Sequence, residues 1–316
     1  MIIVDGHCDT LLELFKNKHS LWDYNENRHL DWPRLQKGQV GLQFMSIYIE
    51  PQYKPSDSLS RVLEILDYFH QLQREGQGLP LTVTTKKDLS GINSSEPRVL
   101  LAIEGGEAIE GKLSNLRILF KLGFRSLTLT WNQRNQIADG VWEKNTGGGL
   151  TTFGREVVQE MNRLGMLIDV SHLSESGFWE VLSLSQQPLA ATHSCCYSLH
   201  QHPRNLTDAQ LQALAEKQGI VGINFYPYFL GENPHNITIE DVLKHLEHAV
   251  NVAGIDHVGL GSDFDGIELT PQGLSDGSYL PCLIDRLIQL GWKEEEIKKV
   301  MGGNFLRVLQ QILPEE

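Results

Sequence analysis

Ile2-Ile3-Val4-Asp5-Gly6-His7-Cys8-Asp9 stands at the start of the chain, and its reading separates two α/β architectures. Three branched apolar residues in a row suit a strand buried on both faces of a parallel sheet. An open, doubly wound sheet wants a glycine-rich turn after its first strand, and Asp5-Gly6-His7-Cys8-Asp9 is not one. The strand runs instead into His7 and Asp9. Residues i and i+2 of an extended segment face the same side, so these two side chains can reach one point together.

Outward from this stretch, similar apolar runs recur at 40–49, 99–104, 126–130, 166–170, 189–192, 221–225 and 258–261. Amphipathic segments at 58–73, 152–164, 175–184, 208–217 and 240–252 separate them. Thr207 and Thr238 sit where helix N-caps are needed, and Gly165 and Gly219 where a helix must stop before the next strand. Eight strands alternating with helices predict an α/β fold, a closed (β/α)8 barrel of the TIM type. Extra C-terminal helices follow Gly261, at 282–290 and through Phe305-Leu306-Arg307-Val308-Leu309. No repeat or linker divides the chain, so one domain over 1–316 is expected.

The 316 residues carry 27 Lys+Arg against 40 Asp+Glu, a net charge of −13, with 41% hydrophobic residues. That composition excludes a disordered chain. It also argues against nucleic acid as a partner, because no basic surplus is available to displace counterions. No apolar run is long enough to span a bilayer, and the first residues lack a signal peptide's basic and apolar regions. Cys8, Cys195, Cys196 and Cys282 form no CxxC pair. Small packing residues in a reduced, cytoplasmic protein is the expectation.

A barrel collects its chemistry where the strands end at their C-terminal side. His7 and Asp9 follow the first strand and Glu104 ends the third, before Gly105-Gly106. The fifth ends in Asp169-Val170-Ser171-His172, the sixth in Thr192-His193 and the eighth in Asp263-Phe264-Asp265. Each has a plainer reading alone: a turn hydrogen bond, a salt bridge, a satisfied core histidine. Gathered at one rim, imidazoles and carboxylates are the ligand types of Zn²⁺ and similar ions, and a carboxylate such as Glu104 can bridge two of them. Tyr48 and Tyr226 follow strands two and seven as pocket-lining candidates. His200 and His202 lie close to His193 without an assigned role, and Gly147-Gly148-Gly149 reads as a mobile loop.

In this order and spacing the chain resembles the membrane (renal) dipeptidase family of zinc dipeptidases, among the amidohydrolase-like barrels. The resemblance rests on Asp5-Gly6-His7-Cys8-Asp9-Thr10, Ile103-Glu104-Gly105-Gly106, Leu127-Thr128-Leu129-Thr130 and Phe153-Gly154-Arg155-Glu156. It continues through Asp169-Val170-Ser171-His172, Thr192-His193-Ser194, Pro203-Arg204-Asn205, Gly261-Ser262-Asp263-Phe264-Asp265-Gly266 and Gly302-Gly303-Asn304. It implies two Zn²⁺ ions per chain, one on His7, Asp9 and Glu104 and the other on Glu104, His172 and His193. A water or hydroxide between them would attack the peptide bond of a free dipeptide, including L-Xaa-D-Xaa dipeptides. The resemblance further makes Asp263 the proton shuttle and Arg204 the clamp on the substrate's C-terminal carboxylate.

One position departs from the family pattern. Mammalian members carry a substrate-binding histidine after Leu-Thr-Leu-Thr, where this chain has Trp131 and then Asn132. Either residue could substitute for it, or Trp131 could be a pocket wall. Two other functions compete: another metal hydrolase of this scaffold, such as a lactonase, or a metal-binding relative without turnover. The former usually present HxH after strand one and many bridge with a modified lysine; the latter would be free to lose Asp263. A homodimer is the prior for assembly.

Overall fold

The computed structural model describes residues 1–315. Eight parallel strands close into a barrel in chain order: β1 (Ile3–Asp5), β2 (Val40–Tyr48), β3 (Arg98–Glu104), β4 (Phe124–Thr128), β5 (Leu167–Asp169), β6 (Ala190–Ser194), β7 (Ile220–Ile223) and β8 (Val258–Leu260). The β1–β8 pair, with Asp5 beside Leu260, closes the ring. The (β/α)8 expectation holds, and every expected strand overlaps an observed one.

Apolar side chains explain why the strands are so uniformly hydrophobic. Val4, Leu42, Phe44, Leu100, Leu167, Ala190 and Ile220 form one cluster, into which the C-terminal helix Asn304–Ile312 sends Phe305, Val308, Leu309 and Ile312. Phe305 lies 5.4 Å from Phe44, ring centre to ring centre. The residues on the opposite strand faces, such as Met45, Ile47, Leu101 and Ile103, belong to the larger cluster shared with the surrounding helices. Burial on both faces leaves no polar side to the strands. The helix expected around 305–309 therefore packs on the barrel as anticipated.

The helices Thr152–Leu164 and Glu175–Leu184 begin and end where their patterns predict. Thr207 and Thr238 do cap their helices, Thr207 Oγ1 accepting from the Gln210 N–H and Thr238 Oγ1 from the Glu240 N–H. Gly165 ends its helix with φ 75°. Before Gly219 it is Gln218 that takes the left-handed turn, at φ 58°. The short helices Thr10–Asn17, Trp32–Lys37 and Leu113–Lys121 had no counterpart in the sequence reading. Two turns or so give too few repeats for a helical period to stand out.

The glycine triplet is tied in place: Ser174 Oγ donates to the Gly148 carbonyl at 3.0 Å, and the Gly148 N–H donates to Thr146 Oγ1 at 3.0 Å. All four cysteines are free, and Cys8, Cys195 and Cys196 are buried. Among the described residues no helix is long and apolar enough to cross a membrane.

Candidate metal centre and substrate pocket

The strand ends bring the expected ligands together. His7 Nε2 lies 3.6 Å from Asp9 Oδ2, 3.8 Å from Glu104 Oε1 and 3.8 Å from Asp263 Oδ1. Glu104 Oε1 is also 2.8 Å from His172 Nε2 and 3.4 Å from His193 Nε2. Glu104, at the end of β3, is thus the common neighbour of all three imidazoles. Two compact ligand groups result, His7 with Glu104 and His193, and His7 with Asp9 and Asp263. His7 is the member they share, so Asp263 stands closer to the ligand cluster than its proton-shuttle assignment alone would require.

The hydrogen bonds behind these side chains decide which nitrogens face inward. Thr192 Oγ1 donates to Asp169 Oδ2 at 2.6 Å and so accepts from His193 Nδ1 at 2.8 Å. Asn132 Oδ1 accepts from His172 Nδ1 at 2.7 Å. Burial pushes both histidines well below the usual imidazole range, so each is neutral with its proton on Nδ1. Their two Nε2 lone pairs then point at one another, 2.8 Å apart, and at a carboxylate oxygen. Neither ring's own proton is left to separate them, and burial together with Asp9 pushes the Glu104 carboxyl well above its usual range.

His7 tells the same story from the other side. Burial alone would lower its pKa, but Glu104, Asp9 and Asp263 outweigh that and lift it to about 10. A buried excess of carboxylate thus demands a positive charge at this point. Its Nε2 and Asp9 Oδ1 have no hydrogen-bond partner although both are buried. Nitrogen and oxygen donors that converge on one buried point, two of them without any hydrogen-bond partner, fit divalent cations such as zinc.

Local backbone conformation serves this packing. His172, Asp263 and Asp265 hold left-handed conformations at φ 66°, 65° and 64°, an uncommon choice for non-glycine residues and one found at functional sites. Gly266 approaches so closely that a Cβ there would stand 2.1 Å from Asp9 Oδ2 and 2.7 Å from Asp263 Oδ1. Asp263 Oδ2 accepts from Asn224 Nδ2 at 2.8 Å, and burial raises the carboxyl above its usual range while His7 pulls against it.

Above the cluster opens a cavity of about 500 Å³ lined by Asp9, Tyr48, Glu104, Trp131, Asn132, His172, Arg204, Tyr226 and Asp263. His7 and His193 lie beneath it, fully enclosed. The metal, proton-transfer and substrate-binding candidates named from the sequence therefore gather at one rim. Arg204 is buried, with Nη2 donating to the His193 carbonyl at 3.0 Å, Nε unpartnered and its guanidinium 5.4 Å over the Phe229 ring. Burial lowers its pKa, with Asp263 and Glu104 opposing. Asp169, at the end of β5, is spent on structure: it accepts from Thr128, Ser171 and Thr192.

Several lining residues were not foreseen. Leu12, Glu13 and Lys16 come from the unexpected helix after β1, Trp142 and Phe229 from the short helical turns Val141–Thr146 and Pro227–Leu230, and Ile267 and Glu268 from the loop after β8. His202 also lines the cavity, while His200 does not. A second cavity of about 370 Å³ lies beyond His172 and Arg204, which line both.

Comparisons with known proteins agree with this geometry. The model of the membrane dipeptidase family (peptidase family M19) matches residues 1–314. A dipeptidase of Aspergillus oryzae is 35% identical over 98% of this chain and 78% of its own length. An uncharacterised dipeptidase of Schizosaccharomyces pombe is 35% identical over 97% of this chain and 80% of its own. Among solved structures, a metallopeptidase of Rhodobacter sphaeroides liganded with a phosphinate mimic of L-Ala-D-Ala superposes with a TM-score of 0.91, at 31% identity and 99% coverage of each chain. A dipeptidase of family M19 superposes at 0.92, with 32% identity and the same coverage. With a ligand cluster at the C-terminal rim of the barrel and a match that runs nearly end to end, the chain belongs to the membrane dipeptidase family, peptidase family M19, and is a metallo-dipeptidase.

Proposed function

We propose that this enzyme is a two-zinc dipeptidase: His7, Asp9 and Glu104 would hold one ion, and Glu104, His172 and His193 the other. The observation that carries the reading is the convergence of His172 Nε2 and His193 Nε2 on Glu104 Oε1 with both Nδ1 protons committed elsewhere. When bound, such ions polarise a carbonyl and lower the pKa of water toward about 7. The chain's own residues do the rest.

Arg204 receives the C-terminal carboxylate of the dipeptide, using a buried guanidinium with an unpartnered Nε at the cavity wall. That fixes the scissile amide above Glu104 and beside Asp263. Asp263 takes a proton from the attacking water and returns it to the leaving amine as the C–N bond breaks. Asn224 orients its carboxylate for both transfers. Asn132 holds His172 and so takes the role of support instead of replacing the family's substrate histidine. Tyr48, at the end of β2, and Tyr226, after β7, both line the pocket.

L-Xaa-D-Xaa dipeptides are included among the substrates, a reading supported by the relative that binds a phosphinate mimic of L-Ala-D-Ala. Its free cysteines, three of them buried, favour a reducing, cytoplasmic setting. Residues 1–316 act as one domain. Asp263→Asn tests the proton assignment: hydrolysis of L-Ala-D-Ala should be abolished while bound zinc stays near the wild-type amount. Wild-type turnover by this variant would make the assignment wrong.

A further inference from the structure

The closed strand order sets β2 to β4 across the barrel axis from β6 to β8. Arg204 follows β6, and the ligand cluster lies on the floor between the two sides. Above β2 to β4 stands a wall that the hydrolysis itself does not use. Tyr48 ends β2, Trp131 follows β4, and Trp142 comes from the turn Val141–Thr146. Ring centres are 5.1 Å apart for Tyr48 and Trp131 and 5.2 Å for Trp131 and Trp142. Trp131 also stacks on the His172 ring at 5.9 Å, the two planes inclined by 29°.

The wall is fixed from behind. Lys54 Nζ lies 5.0 Å from the Tyr48 ring centre and 5.8 Å from that of Trp131, and pairs with Glu107 at 3.0 Å. The Trp142 N–H donates to the Asn132 carbonyl at 2.9 Å. The backbone comes close enough for this only because residue 140 is glycine: a Cβ there would stand 2.3 Å from the Trp131 carbonyl oxygen. Yet Trp142 is 60% exposed while facing the cavity. A large apolar ring whose backbone is anchored and whose face is left uncovered at the mouth of a pocket is ready to pack against a ligand.

We infer that Tyr48, Trp131 and Trp142 form the subsite for the side chain of the substrate's first residue, and that the enzyme prefers dipeptides whose N-terminal residue is aromatic or large and apolar. The inference rests on the Arg204 clamp proposed above: with the C-terminal carboxylate on the β6 side and the amide over Glu104, the first residue extends toward β2 to β4. An aromatic side chain there stacks on Trp142 and covers it, whereas alanine leaves the ring in water.

The test compares kcat/KM of the zinc-loaded enzyme for Phe-Ala, Ala-Phe and Ala-Ala, in wild type and in Trp142→Ala, and adds Phe-Ala amide. Trp142 is exposed, so its removal leaves the core intact. Wild type should cleave Phe-Ala about tenfold better than Ala-Ala, through KM, and Trp142→Ala should reduce that ratio to near one. Phe-Ala amide should be a poor substrate. A Phe-Ala to Ala-Ala ratio near one in wild type, unmoved in the variant, would overturn the subsite while poor cleavage of the amide kept the Arg204 clamp. A preference for Ala-Phe that Trp142→Ala abolishes, with the amide cleaved well, would overturn the clamp and the direction of binding together.

Discussion

His172 Nε2 and His193 Nε2 lie 2.8 Å apart, each turned inward by a hydrogen bond at the far side of its ring. Two inward-facing nitrogens this close, beside the Glu104 carboxyl, form a donor set that a shared cation would satisfy. The supports differ in kind: His193 is held by Thr192, itself tied to Asp169 inside the barrel, whereas His172 depends on the side chain of Asn132.

That difference makes Asn132 a sharp probe. Asn132→Ala removes the acceptor for His172 Nδ1 and frees the ring to turn. Zinc affinity at the His172 site should fall by about 10–100-fold, with the other site little changed. Competition against a chromophoric chelator measures it. Unaltered affinity at both sites would mean that packing against Trp131 alone orients His172.

Arg204 should act on binding. If Arg204 clamps the substrate carboxylate as proposed, Arg204→Met removes a charged interaction worth about 2–3 kcal/mol, or roughly 10²-fold in kcat/KM. The loss should fall mainly on KM. Lysine should not restore it, because a point charge cannot reproduce the planar fork. Steady-state kinetics on a free dipeptide decide the matter, and a pure kcat effect would move Arg204 from clamp to catalyst.

A buried histidine away from the centre predicts an acid limit to stability. His245 accepts the Cys196 N–H at Nδ1, 3.0 Å, and donates from Nε2 to the Leu230 carbonyl, 3.2 Å. That arrangement suits only the neutral ring, and burial lowers its pKa to about 4. A folded pKa below the unfolded value near 6.5 contributes stability that is fully present above pH 6.5 and is lost as pH falls toward 4. The size is roughly 3 kcal/mol by linkage. Urea unfolding at pH 7.5 and pH 4.5 should show a loss of this order in wild type, reduced in His245→Asn. An equal loss in both would assign it to other groups.

The ligand set was legible because each member ends an apolar strand, where a polar residue needs a reason to be. His7, Asp9, Glu104, His172 and His193, with Asp263 beside them, stand out as a set, although each has a plainer reading alone. What escaped depends on contacts distant in sequence. The helix Thr10–Asn17, which brings Leu12, Glu13 and Lys16 to the cavity, is too short to announce itself by period. Trp142 reaches the pocket only because Gly140 lets its backbone lie against residues 131 and 132. His202 was noticed for its nearness to His193, but its place on the cavity wall is fixed by the turn that also carries Arg204. Asp169, which shares the end of the fifth strand with His172, is saturated by three neighbours.

The proposed mechanism requires two metal ions at this rim, with hydrolysis depending on both. The direct measurement is turnover of L-Ala-D-Ala and L-Ala-L-Ala by metal-free enzyme titrated with Zn²⁺. Hydrolysis that rises to a plateau at two equivalents is the predicted result. Full activity at one equivalent, or two equivalents bound tightly with neither dipeptide cleaved, would contradict it.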